Sequence, residues 1–232
     1  MNQTWWKIGC VILLAYVFTG GLLMDVPRLP ILNETIRNVY FHVPLWFGMI
    51  ALMTASGWYA IRYLRTGRPD DDVRSVEYAN TGLVYGLLGY VTGALWGNFT
   101  WNDPLPRDPK ILSAAAGMLI YLAYWLLRSS FRDEQQRARI SAIYNVFAFA
   151  VFIPLIFVLP RMTASLHPGN GGNPAFGQYD MDNQMRMVFY PACVGMILLG
   201  VWISTLRIRL RRVQNAFIER EERLTRKPTF ER

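Results

Sequence analysis

Residues 39–61 read Val-Tyr-Phe-His-Val-Pro-Leu-Trp-Phe-Gly-Met-Ile-Ala-Leu-Met-Thr-Ala-Ser-Gly-Trp-Tyr-Ala-Ile, a run without a single Asp, Glu, Lys or Arg. A helix crosses the hydrocarbon core of a bilayer in roughly 20 residues, so this block is long enough to span one. Five further blocks of similar character flank it, giving expected spans at Trp5–Leu23, Val39–Ile61, Tyr78–Leu95, Leu112–Leu127, Ile140–Leu159 and Met187–Leu206. The fold class that follows is an all-α integral membrane protein with six transmembrane helices. The first block has only Lys7 ahead of its apolar run and no clear A-x-A site after it, so it reads as a helix and not as a cleaved signal.

Composition agrees with the block pattern. The 232 residues are 53% hydrophobic and 17% charged, with 8 Trp and 10 Met, which excludes the soluble enzyme classes. The formal net charge of +8 does not point to nucleic acid, because the basic residues flank the apolar blocks and build no separate module. Of the 24 Lys and Arg, 18 fall at Lys7, in the connections after the second and fourth spans, and beyond Leu206. Only Arg28, Arg37, Arg107, Lys110, Arg161 and Arg186 fall on the other side. The positive-inside rule then puts both termini in the cytoplasm and turns the loops at 24–38, 96–111 and 160–186 outward. The chain divides into a transmembrane domain, 1–206, and a charged cytoplasmic tail, 207–232. The tail is expected to be helical, with basic first turns suited to anionic lipid headgroups.

Two Cys and two His allow no Cys-rich zinc or iron–sulfur centre. Cys10 and Cys193 fall at different depths and read as packed thiols. The histidines, however, share a side. His42 begins the second span, and His167 lies in the third outward loop. Two imidazoles on one face suit a six-coordinate haem iron. Between them in chain order comes Leu-Trp-Gly-Asn-Phe-Thr-Trp-Asn-Asp-Pro-Leu-Pro-Arg-Asp-Pro-Lys, residues 95–110, with Trp96, Phe99 and Trp101 within six positions. An interfacial aromatic belt accounts for Trp5, Trp6, Trp46 and Trp125. It accounts less well for aromatics interleaved with Gly97, Asn98 and Asp103. Flat aromatic faces beside positive groups suit a planar apolar ligand with acidic substituents, which Arg107 and Lys110, or Arg28, Arg37, Arg161 or Arg186, could pair. No helix core carries a chain of Asp, Glu or Lys of the kind that marks an ion path; Glu77 sits at a helix edge and Asn145 is the main polar residue inside a block. No phosphate-binding, H-E-x-x-H or G-x-S-x-G motif appears.

The order His-Val-Pro (His42–Pro44), Trp-Gly-x-x-x-Trp (Trp96–Trp101), Asp108-Pro-Lys110 and Leu166-His167 resembles the cytochrome c assembly family of haem-handling membrane proteins, closest to the haem exporter C (CcmC) type. The resemblance covers about residues 5–206. It implies transiently bound haem b, with His42 and His167 as axial ligands. The outward stretch containing Trp96, Gly97, Phe99, Trp101, Arg107, Asp108 and Lys110 would hold it. It also implies presentation of that haem to a periplasmic haem chaperone, ABC transporter subunits as partners, and the bacterial inner membrane as location. The protein would be a haem-binding scaffold, an accessory to the ligation of haem to the chaperone, and not a pump. The sequence departs from the family pattern, Trp-Gly-x-x-x-Trp-x-x-Trp-Trp-x-x-Asp, between Trp101 and Asp108, where no Trp occurs and Leu105 is the apolar residue. A haem-free permease or anchoring subunit is the alternative reading; it predicts a colourless protein whose aromatic loop tolerates Trp→Phe. A respiratory cytochrome b subunit fits poorly, since its histidines face each other inside helices.

Overall fold

The computed structural model describes residues 4–28, 32–103, 107–163 and 181–225, and among these it contains helices and no strand. They are α1 (Trp5–Leu23), α2 (Val39–Thr66), α3 (Pro69–Trp101), α4 (Pro109–Ser130), α5 (Glu134–Ile153) and α6 (Asn183–Thr225). A 3₁₀ segment, Asn33–Asn38, leads directly into α2, and α5 runs on through a π turn at Pro154–Val158 and a final turn, Leu159–Met162. All but α3 belong to spans long and apolar enough to cross a membrane. α3 is diluted by Gly82, Gly86, Gly89 and Gly93, yet it exposes Val84, Leu87, Leu88, Val91 and Leu95 along one stripe. That helical spacing is what a lipid-facing surface requires.

The helix ends follow local chemistry. Gly67, at φ 66°, closes α2 with its N–H on the Tyr63 carbonyl at 2.8 Å, the left-handed cap glycine supplies most cheaply. Pro69 then opens α3 at a position that needs no N–H, followed by Asp70, Asp71 and Asp72 at the positive end of the helix dipole. Asp133 caps α5 by accepting from the Gln136 N–H at 2.6 Å. Inside α6, Pro191 has no N–H to offer the Met187 carbonyl, and the Tyr16 hydroxyl of α1 donates to that carbonyl at 3.3 Å instead.

α2 is the central helix, packed against α3, α5 and α6, while α1 lies on α6 and α4 on α5. Met49, Leu52, Met53, Tyr85, Met118, Tyr121 and Phe152 form the main core. α2 and α3 come close because Gly82 admits the Met53 side chain; a Cβ there would stand 3.0 Å from Met53 Cε. The buried Asn145 of α5 ties the pair from the side, donating to Ser56 Oγ at 2.7 Å and Ser75 Oγ at 2.9 Å.

The two ends of the bundle differ in kind. At the basic end, Glu77 is 2% exposed and receives Arg207 at 2.7 Å and Arg211 at 3.2 Å from α6. Arg128 of α4 forms a two-pronged pair with Asp72 at 2.6 and 2.9 Å, and Arg212 reaches Asp70 at 2.6 Å. Lys7 lies 5.6 Å over the Trp202 ring, which brings the start of α1 to the same end. The opposite, aromatic end gathers His42, Trp96 and the 3₁₀ segment.

Candidate functional site

His42 sits in the first turns of α2, one helical turn before Trp46, so both rings point to the same side. Facing them on α3 is the row Gly89, Thr92, Gly93, Trp96, Gly97 and Thr100, spaced at three and four. The glycines make room. A Cβ at Gly89 would stand 3.0 Å from the Trp46 ring, and one at Gly93 would stand 2.6 Å from His42 Cε1. The His42 ring is therefore enclosed by Trp46 and Trp96, each in a T-shaped arrangement with it, with ring centres 6.4 and 6.0 Å away. Such edge contacts contribute about 0.5–1.5 kcal/mol each.

Two threonines hold the rings. Nδ1 of His42 lies 3.1 Å from Thr92 Oγ1. The indole N–H of Trp96 donates to Thr35 Oγ1 at 3.1 Å, and that hydroxyl in turn donates to the Leu32 carbonyl. The result is a small cleft, open to the outside and lined by His42, Trp96 and Trp101 with Leu32, Gly93, Gly97 and Thr100. It is mainly apolar, with one imidazole and aromatic walls, and is well below the roughly 300–1,000 Å³ typical of small-molecule sites.

Four of the residues singled out from sequence thus meet: His42, Trp96, Gly97 and Trp101. The stretch 96–101 is not loop, as its Gly and Asn content suggested, but the last turns of α3, which ends only at Asn102 with φ 55°. The helical course separates the aromatics, because Phe99 falls on the outer face, 75% exposed, away from the cleft. Asp108 is the N-cap of α4, accepting from the Lys110 backbone N–H at 2.8 Å. Arg107 is exposed one residue earlier, and the Lys110 side chain is half-buried in the first turn. Arg37 donates to the Gly21 and Met24 carbonyls at the end of α1 and pairs with Glu34 at 2.7 Å. His167, Leu105 and the third outward loop over 164–180 lie outside the described residues. Cys10 and Cys193 are free thiols.

Sequence reasoning missed Thr92, Gly93 and Thr35, and it assigned Trp46 to the lipid interface although its ring packs on His42 and Gly89. A signal for Gly93 and Thr92 was present, namely the three-and-four spacing with Trp96 and Gly97, had 96–101 been read as helix.

A family model described as heme exporter protein C, CcmC, matches residues 2–227. Among curated proteins, the heme exporter protein C of Paracoccus denitrificans is 24% identical over 201 residues, 82% of this chain and 80% of its own length. That of Rhodobacter capsulatus is 23% identical over 204 residues, covering 83% and 80%. The Haemophilus influenzae protein is 21% identical over 178 residues, covering 77% and 72%. With a multi-pass helical fold and a match that runs along nearly the whole chain, this protein belongs to the heme exporter protein C family, which handles haem in cytochrome c maturation.

Proposed function

We propose that the protein holds haem as cargo at the outer face of the bacterial inner membrane and presents it to a periplasmic haem chaperone, working beside the ABC transporter subunits of the same maturation system. His42 and His167 are the axial ligands, and Trp96 and Trp101 flank the macrocycle. Haem iron supplies two axial positions for imidazole nitrogen, and its ring supplies an apolar face. The observation that carries the reading is the His42 cleft: an imidazole between two steeply inclined indole rings at the end opposite the arginine belt. The orientation rests on the 18-to-6 distribution of basic residues, which makes the aromatic end the outer one.

The donor set fits the cargo, since neutral imidazole is a common haem ligand and aromatic walls exclude water from the ring. The cleft is much smaller than a porphyrin, so it would meet only an edge of the macrocycle and leave the rest exposed. Partial exposure suits a site that must hand its ligand on. Arg107 and Lys110, at the entry to α4, are the cations for the propionates. Asp108 acts on the site through the cap that fixes that entry.

The test is an absorption spectrum of detergent-purified protein from haem-replete cells, oxidised and reduced, for the wild type, His42→Ala and His167→Ala. The expected result is a low-spin haem band in the wild type, weakened in each variant. A full wild-type spectrum in both variants overturns the axial assignment. A colourless wild type favours the permease or anchoring reading.

A further inference from the structure

Beside the His42 ring, outside the lining of the cleft, stands the hydroxyl of Thr92. We propose that Thr92 is the positioning residue that selects the ligating nitrogen of His42, holding the ring as its Nδ1–H tautomer so that Nε2 carries the lone pair. The inference rests on the reading of His42 as a haem ligand.

The assignment comes from counting protons. A threonine hydroxyl has one proton to give. Thr92 Oγ1 lies 2.8 Å from the Leu88 carbonyl oxygen and 3.0 Å from the Gly89 carbonyl oxygen, and neither carbonyl can donate. The proton is therefore directed back to the helix. What the oxygen offers His42 Nδ1 at 3.1 Å is a lone pair, so Nδ1 is the donor. A neutral imidazole has one N–H, and its other nitrogen is then the one able to bind a metal. Metal-bound histidines are commonly fixed this way by an acceptor on the second ring nitrogen.

The surroundings keep Thr92 in register with the ring. The Asn38 side chain, one turn before His42, donates to the Thr92 carbonyl at 3.3 Å. Gly93, next along α3, is what lets the ring lie this close. The same device recurs beside it: Thr35 gives its proton to the Leu32 carbonyl and accepts the Trp96 indole N–H. Both rings are thus aimed by hydroxyls whose protons are committed to the backbone.

The experiment compares the full chain in detergent as wild type, Thr92→Val, which keeps the branched shape and removes the acceptor, and Thr92→Ser, which keeps the hydroxyl. The first readout needs no haem. Nitrogen NMR of protein labelled at histidine, at a pH of about 8 where an ordinary imidazole is neutral, reports which ring nitrogen carries the proton. The His42 signals are identified by their loss in His42→Ala. The expected result is protonated Nδ1 in wild type and Thr92→Ser, and a shift toward protonated Nε2 in Thr92→Val. The second readout is haem titration, with roughly 10–100-fold weaker binding in Thr92→Val and rescue in Thr92→Ser. Protonated Nε2 in the wild type, or an unchanged ring in Thr92→Val, overturns the inference whatever haem does. A tautomer that responds as expected while His42→Ala keeps the full haem spectrum overturns the ligand reading and leaves Thr92's control of the ring standing.

Discussion

Glu77 and His42 stand near opposite ends of the α2–α3 pair, and each is held by contacts from a neighbouring helix, but by different forces. Glu77 is a buried carboxylate between two guanidinium groups, Arg207 and Arg211. The contacts described for His42 are one hydroxyl and two steeply inclined indole rings. Charge pairs in a low-dielectric setting are costly to desolvate and costly to break, so they fix helix register strongly. Neutral hydrogen bonds and ring edges contribute about 1 kcal/mol each, so they orient a group without committing much of the fold's stability to it. Charge-fixed packing and the neutrally bonded His42 ring thus lie toward opposite ends of the bundle axis.

The largest expected effect is at the basic end. Arg207→Ala/Arg211→Ala leaves the Glu77 carboxylate, among the described residues, with the Asn80 amide at 3.4 Å as its side-chain hydrogen-bond donor. The loss should be about 3 kcal/mol, at the low end for an orphaned buried charge because both arginines are nearly half exposed. It is measured as a lower unfolding midpoint in detergent, with the His42 ring signals unmoved. A midpoint equal to wild type, or a disturbed His42 ring, would break the separation.

At the aromatic end the order reverses. Gly93→Ala brings a methyl to 2.6 Å from His42 Cε1, so the ring must leave its contact with Thr92. Overpacking costs about 1–3 kcal/mol, and replacing a helical glycine returns nearly 1, so stability should fall by about 1 kcal/mol. Haem absorbance should fall far more, and retained absorbance at full intensity would show that the ring tolerates the intrusion.

The smallest effect is in acid. Burial alone would raise the Asp70 carboxyl, but hydrogen bonds from Arg74 and Arg212 outweigh it and hold the group below the usual carboxylate range. A depressed native value means the pairing stabilises above the unfolded value of about 3.9 and is lost as pH falls through the lower native one. Asp70 is 45% exposed, so the change is modest. Unfolding midpoints between about pH 3 and 6 should show it, and Asp70→Asn should flatten that part of the profile.

Much of the fold was legible because lipid demands it: uncharged blocks of spanning length leave little choice but helices. The helix ends were less so. The apolar run of the third span starts at Tyr78, yet α3 starts at Pro69, where proline and three aspartates make a helix start that hydropathy ignores. Trp96 to Trp101 looked like loop because Gly97, Asn98 and Thr100 are weak helix formers, but packing of the Gly89–Trp96 row on α2 carries the helix to Trp101. His42, Trp96 and Trp101 stood out by type. Thr92 did not, since its role depends on the register of two helices whose partners are 50 residues apart.

His42 rides on the central helix of the bundle, the one in contact with α3, α5 and α6 alike. In kinetic terms, its place is settled before any ligand arrives. The ordering of that helix is part of folding, so capture loses little freedom at this position and need not wait for a rearrangement. On the proposed reading of His42 as a haem ligand, a side chain placed this way would leave the rate of hand-over to the bonds to the cargo itself and to the groups that meet it from the other side.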